Sequence, residues 1–455
     1  MIDITKPKVA LVSLGCPKNQ CDAELMLAKV AKAGYRLVTE PGLADIVIIN
    51  TCCFIQSAKE EAIEEIMEAI TRRQAAAGTS SHHATSKIII TGCLSERYKQ
   101  QLADEFPEVD GVLALADNSG IVTAIENVLQ DKRVLKFGDL NGHSMEGERL
   151  LSTLPHYAYL RISDGCDNRC SYCAIPLFRG AYRERTMQNI LTEAEGLVQD
   201  GVRELILIAQ DVTAYTNLPT LLRELAKIEN LKWIRLLYCY PQRITDELIE
   251  VIASEDKIVK YLDMPIQHCD DEILESMNRQ DCDLRLVISK LRKAVPDIIL
   301  RSTVLVGFPG ETPEQFTALA EFVHDMKFEH LGCFAYSQEE GTPAAEMEYQ
   351  VDESEKQRRR EIIEEQQEIR VAEWLDSLIG SEQEVVVEGF DRYSDMYFGR
   401  GYMFAPEIDP MIYFTSKVKP VTGEFVKVKL TENIDNNLIG LTDLTETEEV
   451  LNYEK

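Results

Sequence analysis

The chain has 455 residues, 12 cysteines and a formal net charge of −29. Its length predicts two to four domains. Because no apolar run is long enough to span a membrane and no signal peptide is recognisable, we expect a cytoplasmic protein with reduced thiols and no membrane contact. The negative charge either serves solubility alone or attracts a basic partner, and it disfavours an RNA substrate unless a basic patch is local.

The first 140 residues repeat a strand-and-helix pattern three times. The apolar runs KVALVSLG, ADIVIIN and KIIITG alternate with helical stretches, which predicts a parallel βαβ sheet. A cysteine ends each run, at Cys16, Cys52 and Cys93. Ligands bind beyond the carboxyl ends of parallel strands, so these thiols would meet at one edge. A single strand-end cysteine is usually a small buried hydrophobe, but three in register indicate ligands.

After an irregular linker over residues 139–156, six further strand-like runs alternate with helices. They predict an incomplete (βα)6 barrel or a wide doubly wound sheet. The six runs are YAYLRIS, ELILIAQD, WIRLLYCY, KYLDMPI, IILRSTVLVG and HLGCFAYS. The end of the second run places Gln210 and Asp211 at the face where barrel chemistry occurs. They are candidates for a cofactor pocket, although a strand-end aspartate is as often a helix cap.

The loop after the first of these runs spaces Cys166, Cys170 and Cys173 as C-x3-C-x2-C. A closed zinc site would need a fourth nearby ligand, and no further Cys or His follows before Cys239. Three thiolates suit a cubane iron–sulfur cluster with one open iron. An open iron at a barrel face suggests S-adenosylmethionine (SAM) as the missing ligand. Tyr172 either shields the cluster, touches adenine or simply packs.

The last part of the chain changes character twice. A long charged helix is predicted from Asp352 to about Ile379, ended by Gly380. From Ser381 the runs EVVVEGF, FVKVKL and NLIGLTDL predict a small antiparallel β-barrel. Fifteen acidic and seven basic residues give this module a net charge of −8. The predicted domains are therefore residues 1–140, 152–379 and 381–449.

These motifs together resemble the radical-SAM methylthiotransferases over essentially the whole chain. The motifs SLGCPKN, INTC, TGCL, YLDMPIQH, VGFPGET and YSQEEGTPA resemble the branch that modifies a ribosomal protein (RimO type), whereas the tRNA-modifying branch typically reads GCQMN at the first cysteine. The resemblance implies two [4Fe–4S] clusters, one on Cys166, Cys170 and Cys173 and an auxiliary one on Cys16, Cys52 and Cys93. It also implies that the C-terminal barrel is TRAM-like and grips the substrate protein.

The implied reaction is methylthiolation of the β-carbon of an aspartate in protein twelve of the small ribosomal subunit, with SAM as cofactor. A basic ribosomal protein would suit an acidic barrel. Such an enzyme also needs an electron donor, such as a flavodoxin or ferredoxin, and a sulfur donor. Two alternatives remain: a tRNA methylthiotransferase acting on an adenosine, and an iron–sulfur electron-transfer protein. The acidic barrel disfavours the tRNA methylthiotransferase. The missing fourth ligand of the C-x3-C-x2-C loop disfavours the electron-transfer protein.

Two cysteines depart from the pattern of the family. Cys21 stands where an apolar residue is usual, and Cys53 stands where glycine usually follows the ligand. Cys53 raises the question of which member of the pair binds iron, and alignment with the NTC motif favours Cys52. The other cysteines match no ligand spacing and are predicted to be core or surface thiols: Cys239, Cys269, Cys282 and Cys333.

Overall fold

The computed structural model describes residues 6–77, 86–279 and 282–442, and its N-terminal part is a six-stranded parallel sheet. The strands, in spatial order β2-β1-β3-β4-β5-β6, are β1 (Lys8–Ser13), β2 (Arg36–Leu37), β3 (Ile46–Thr51), β4 (Lys87–Gly92), β5 (Gly111–Leu113) and β6 (Val134–Lys136). The helices between them are α1 (Pro17–Lys32), α2 (Gln56–Ala77), α3 (Cys93–Glu105) and α4 (Ile121–Val128). The predicted parallel sheet is confirmed, with three short strands added to the predicted three.

Burial on both faces explains why these strands are continuous apolar runs. In β3, Ile46 and Ile48 pack on one side of the sheet, and Val47 and Ile49 pack on the other. A parallel strand covered by helices on both sides needs apolar residues at every position.

The central part begins with β7 (Tyr157–Arg161), after which a short antiparallel ribbon encloses the cysteine loop. The strands of that ribbon are β8 (Ser163–Asp164) and β9 (Arg183–Glu184). Five more strands pair with β7 in a parallel sheet: β10 (Glu204–Ile208), β11 (Trp233–Leu236), β12 (Ile258–Asp263), β13 (Ile299–Val306) and β14 (His330–Ala335). Their spatial order follows the chain order without a reversal. This confirms the incomplete (βα)6 barrel and excludes the doubly wound alternative.

Eight α-helices of the described residues accompany this sheet. They are α5 (Ile175–Arg179), α6 (Met187–Gln199), α7 (Leu218–Ala226), α8 (Asp246–Ser254), α9 (Asp271–Ser276), α10 (Leu284–Ala294), α11 (Pro313–Met326) and α12 (Glu353–Ser377). The start of α11 shows why such boundaries are sharp. Thr312 and Gln315 form a reciprocal capping box, with Pro313 in the first turn. The last helix, α12, matches the predicted charged helix to within two residues at each end.

The C-terminal part is a closed five-stranded barrel in the order β15-β16-β17-β19-β18. Its strands are β15 (Glu382–Asp391), β16 (Met396–Gly401), β17 (Ile412–Ser416), β18 (Phe425–Ile434) and β19 (Asn437–Thr442). The predicted barrel is confirmed, with one difference: β17 and β19 pair in parallel, while the other pairs are antiparallel. The predicted domain boundaries stay a prediction, and residues 443–449 lie outside the described residues.

The barrel covers the face of the central sheet that the helices leave open. Tyr157, Ile206 and Trp233 on that face share one apolar cluster with Phe404 and Phe414. The sheet does not close on itself, so its inner face needs this cover. In the described ranges, no helix is both long enough and apolar enough to cross a bilayer.

Buried charges accompany this apolar contact between the central sheet and the barrel. Glu204 on β10 accepts hydrogen bonds from Arg235 Nε (2.7 Å) on β11 and from Arg400 Nη2 (2.8 Å) on β16. Glu388 Oε1 on β15 accepts a bond of 2.7 Å from Arg400 Nε. All four side chains are at most 2% exposed. The barrel is thus docked by a buried ionic network as well as by apolar contact.

Candidate active site

The first cysteine triad lies where the N-terminal sheet reverses its strand order, between β1 and β3. Such a reversal leaves a crevice at the carboxyl ends of the strands, where ligands bind in open α/β sheets. Cys16 is the N-cap residue of α1, Cys52 directly follows β3, and Cys93 is the first residue of α3. The structure therefore places all three predicted ligands at one edge of the sheet.

Cys52, and not its neighbour Cys53, faces the crevice. A Cβ atom added to Gly15 would lie 2.7 Å from Cys52 Cβ and 2.8 Å from its Sγ, so Cys52 packs against the residue that precedes Cys16. Cys53 is buried in the apolar core, and that burial raises the pKa of its thiol to about 12, although Arg97 opposes the shift. The contact with Gly15 supports Cys52 as the ligand, and this choice stays a prediction.

Asn19 ties the ends of the strands together behind the triad. Its Nδ2 donates to the carbonyl oxygens of Leu14 (3.0 Å) and Thr51 (2.9 Å). Its Oδ1 accepts from Cys93 Sγ at 3.2 Å and also from Arg179 Nη2. One amide therefore fixes the spacing of the strand ends and places a buried cation beside the thiols. The positive charge of Arg179 would offset the negative charge of bound thiolates.

The second triad sits on a loop that the surrounding backbone holds in place. Cys173 N donates to the carbonyl oxygen of Cys170 at 3.0 Å. Between them, Ser171 N donates to the carbonyl oxygen of Met277 at 2.9 Å. Asn278 Nδ2 donates to the carbonyl oxygen of Arg169 at 2.8 Å. These bonds to the segment after α9 fix the loop at the carboxyl end of the central sheet.

Tyr172 points away from solvent, and its hydroxyl contacts a buried arginine. Arg279 Nη1 donates to Tyr172 Oη at 3.2 Å, and Arg279 Nη2 donates to the carbonyl oxygen of Pro265. Burial raises the pKa of Tyr172 well above its ordinary value, because the charged form would be poorly solvated. The structure shows the packing role of this tyrosine, and its contact with a cluster or adenine stays a prediction.

Gln210 and Asp211 lie at the predicted face, and both bind protein groups there. Gln210 Nε2 donates to Asp164 Oδ1 at 2.7 Å, while its Oε1 is buried without a partner. Asp211 Oδ1 caps the short helix Val212–Ala214, and its Oδ2 accepts from Asn168 Nδ2 at 3.0 Å. Asp211 thus combines the helix cap with support of the cysteine loop. A role of either residue in binding SAM stays a prediction.

One short segment after β11 lies beside residues of both triads. The Tyr240 hydroxyl lies 3.8 Å from Cys170 Sγ. The centre of the Tyr238 ring lies 3.1 Å from Lys18 Nζ, and Lys18 stands two residues after Cys16 on the first turn of α1. The Cα atoms of Tyr238 and Tyr240 are at most about 7 Å apart. This segment therefore links the start of α1, next to the first triad, to the loop of the second triad.

The chemistry of the cysteine side chains fits iron–sulfur clusters. In a cubane cluster each cysteine binds a different iron, so its three sulfurs stand further apart than around a single zinc. Each triad supplies three soft sulfur ligands and no fourth. This donor set suits a [4Fe–4S] cluster with one open iron.

A buried charge network joins the two triads, and no motif in the sequence predicts it. Arg179 Nη1, at the end of α5, donates to Asp22 Oδ2 (2.8 Å) and lies 3.4 Å from Asp164 Oδ2. Arg161 Nη1 and His143 Nε2 contact Asp22 Oδ1 at 2.6 Å and 3.1 Å. Burial alone would raise the pKa of Asp22, but the two arginines outweigh it and hold that pKa well below its ordinary value. These residues come from distant segments of the chain, so a local sequence motif cannot indicate their contact.

Three family models match successive parts of the chain. They are the uncharacterized protein family UPF0004 over residues 8–114, the radical SAM superfamily over 160–323 and the TRAM domain over 379–442. Proteins named ribosomal protein uS12 methylthiotransferase RimO match at full length. That of Thermoanaerobacter sp. is 46% identical over 95% of this chain and 99% of its own. That of Geobacter sulfurreducens is 44% identical over 96% of this chain and 98% of its own.

The chain belongs to the RimO-type radical-SAM methylthiotransferases. The family predicted from the motifs is confirmed. Among solved structures, a radical SAM methyltransferase, TsrM from Kitasatospora setae, has a TM-score of 0.53 at 13% identity and covers 83% of this chain and 78% of its own. At this identity, the likeness shows a shared fold only. In this chain the UPF0004 match covers most of the N-terminal sheet, the radical SAM match covers most of the central sheet, and the TRAM match covers the C-terminal barrel.

Proposed function

We propose that this chain transfers a methylthio group to the β-carbon of an aspartate in ribosomal protein uS12. The observation that carries the proposal is the segment from Tyr238 to Tyr240, which lies against Lys18 beside the first triad and against Cys170 of the second. A reaction that needs one centre to activate a carbon and another to deliver sulfur requires both centres to reach the same atom. The names of the full-length relatives support uS12 as the substrate.

Each triad would hold one [4Fe–4S] cluster in this proposal, with SAM at the open iron of the second triad. When bound, these groups would supply the reducing electron, the radical chemistry and the transferable sulfur. The protein residues would position them. Asn19 and Arg179 brace Cys93, and Asp211 braces the loop that carries the second triad. Gln210, with one buried unpaired oxygen, would face the SAM pocket.

Charge supports a basic protein as the substrate. The chain carries −29 overall, and its C-terminal module carries −8. Complementary charge accelerates encounter with a basic ribosomal protein and disfavours RNA. We propose that the barrel grips uS12 and that the reaction takes place in the cytoplasm. A flavodoxin or ferredoxin would supply electrons, and a separate donor would renew the sulfur.

Mass spectrometry of uS12 and of tRNA from a strain that lacks the gene tests the substrate. We expect uS12 to lose its methylthio group and the tRNA methylthio-adenosines to stay unchanged. Re-expression of the gene should restore the modified uS12. Normal uS12 together with tRNA that lacks the methylthio group would overturn the proposal in favour of the tRNA-modifying function.

Iron analysis of anaerobically reconstituted protein tests the two cluster sites. We expect about eight irons per chain for two four-iron clusters. Alanine at all three cysteines of either triad should leave about four irons. Cys333→Ala is the matched control, because Cys333 is a buried core thiol on β14 and should leave the iron content unchanged. An unchanged iron content after removal of the first triad would contradict the auxiliary site.

A further inference from the structure

Lys18 is a buried cation without a carboxylate partner. It lies two residues after Cys16, on the first turn of α1, and it is 7% exposed. Its Nζ stands 3.1 Å from the centre of the Tyr238 ring. Over the described ranges, the ammonium of Lys18 makes no hydrogen bond and no ion pair with a carboxylate. A cation–π contact offsets only part of the cost of burying an ammonium group, so an incoming carboxylate would stabilise it in addition to the thiolate of Cys16.

The other cations around the two triads already have partners. Arg179 bonds Asp22, Arg243 bonds Asp211, Arg279 bonds Tyr172 and Arg301 bonds Asp409. Three of these guanidinium groups are thus paired with carboxylates, whereas Arg279 donates only to neutral oxygens and its buried Nε has no partner. On the side of the first triad, the described cation next to Cys16 that lacks a carboxylate partner is Lys18.

Asp263 lies near Lys18, but its carboxylate already has other partners. Asp263, at the end of β12, accepts a hydrogen bond of 2.9 Å from Tyr238 N through Oδ2, and its Oδ1 lies 4.0 Å from Arg301 Nε. Tyr238 adopts a left-handed φ of +62°, which is strained for a residue with a side chain. The bond to Asp263 holds Tyr238 in that conformation, with its ring against Lys18. Asp263 therefore supports the ring and forms no ion pair with Lys18.

We propose that Lys18 binds the side-chain carboxylate of the substrate aspartate. The inference rests on the proposed function and deepens it. In an aspartate, the β-carbon carries the carboxylate directly, so the group that recognises the carboxylate must stand beside the carbon that is modified. Lys18 meets this condition because it stands two residues after Cys16 and against Tyr238, in the segment whose Tyr240 lies beside Cys170. An uncharged side chain at the target position would offer the ammonium no charge to pair with, which is a basis for rejection.

Peptide binding to the reconstituted holoenzyme tests this assignment without turnover. The probe is a fluorescein-labelled uS12 peptide with the target aspartate, compared with the same peptide carrying asparagine, under anaerobic conditions and without reductant. We expect wild-type protein to bind the aspartate peptide more tightly by about tenfold to a hundredfold, the range of a hydrogen bond between charged groups. Lys18→Met keeps the length of the side chain without its charge, and it should bind both peptides equally.

Lys29→Met is the matched control, because it removes a charge from the same helix about three turns further on. It should keep the preference for aspartate. Iron content is measured for every variant, and if Lys18→Met loses iron, Lys18→Gln replaces it in the same comparison. Retention of the preference without the Lys18 charge would overturn the assignment, as would a wild-type protein that does not distinguish the peptides. Failure of the proposed function is a separate result, namely unmodified uS12 with wild-type enzyme.

Discussion

Replacement of Glu204 by glutamine should weaken the contact between the barrel and the central sheet and lower the free energy of unfolding. Glu204 accepts hydrogen bonds from Arg235 and Arg400, and all three side chains are at most 1% exposed. Burial alone would raise the pKa of Glu204, but the two arginines outweigh it and lower this pKa from 4.5 to about 2. Glutamine keeps the shape of the side chain and removes the charge that the two arginines need.

The magnitude follows from the lowered pKa. At 1.36 kcal/mol per pH unit, a fall from 4.5 to about 2 corresponds to about 3 kcal/mol of stability. Loss of one partner of a buried ion pair costs about 3–5 kcal/mol, which agrees. Because the folded-state pKa is depressed, this stabilisation is fully present above pH 4.5 and is lost as the pH falls towards about 2.

Equilibrium urea unfolding, followed by tryptophan fluorescence, measures this cost. The two tryptophans of the chain, Trp233 and Trp374, both pack against barrel residues, so their emission reports this interface. We expect Glu204→Gln to lose about 3 kcal/mol at pH 7 and progressively less than that between pH 4.5 and pH 3.

Glu384→Gln provides the control for that experiment. Glu384 pairs with Lys232 across the same interface, but the two side chains are 45% and 46% exposed. An exposed pair contributes less than about 1 kcal/mol. A loss below about 1 kcal/mol for Glu204→Gln, or a loss that does not change with pH, would refute the reasoning.

Three further changes test the candidate site. Gly15→Ala should leave about four irons per chain, because φ is +92° and the new Cβ would lie 2.7 Å from Cys52 Cβ; about eight irons would contradict this contact. Cys53→Ala should keep about eight irons, whereas Cys52→Ala should lose about half, and the reverse iron contents would reassign the ligand. Arg179→Met should lower the free energy of unfolding by about 3 kcal/mol, at the low end for a broken buried pair because Asp22 keeps its other arginine. Urea titration measures that cost, and a change under about 1 kcal/mol would show that the network adds little.

The parts of the site that follow strand periodicity could be predicted from the sequence. β3 and β4 are buried on both faces, so they read as unbroken apolar runs, and the cysteine after each run falls at the edge where ligands bind. The loop of the second triad could also be recognised from the sequence, because its three predicted ligand cysteines lie within eight consecutive residues. Both features are local, and local features leave a pattern in the sequence.

Other parts depend on contacts between distant segments and leave no such pattern. Lys18, Asp22 and Arg179 read as ordinary charged residues on helices, yet each is buried by a domain that comes later or earlier in the chain. The linker over residues 139–156 is mostly irregular, as predicted, apart from one short 3-10 helix (Leu140–Gly142). The buried side chain of Arg149 within it donates to Cys21 Sγ at 2.9 Å. That contact also accounts for the unusual Cys21, which lies at the junction of the linker and β7.

The segment from Tyr238 to Tyr240 connects the surroundings of the two cysteine triads. Two peptide units hold the Cα atoms of Tyr238 and Tyr240 within about 7 Å of each other. The ring beside Lys18 and the hydroxyl beside Cys170 are therefore carried by one short piece of backbone. A residue inserted between Tyr238 and Tyr240 would change how these two side chains are placed relative to each other, although all six cysteines of the triads would be unchanged.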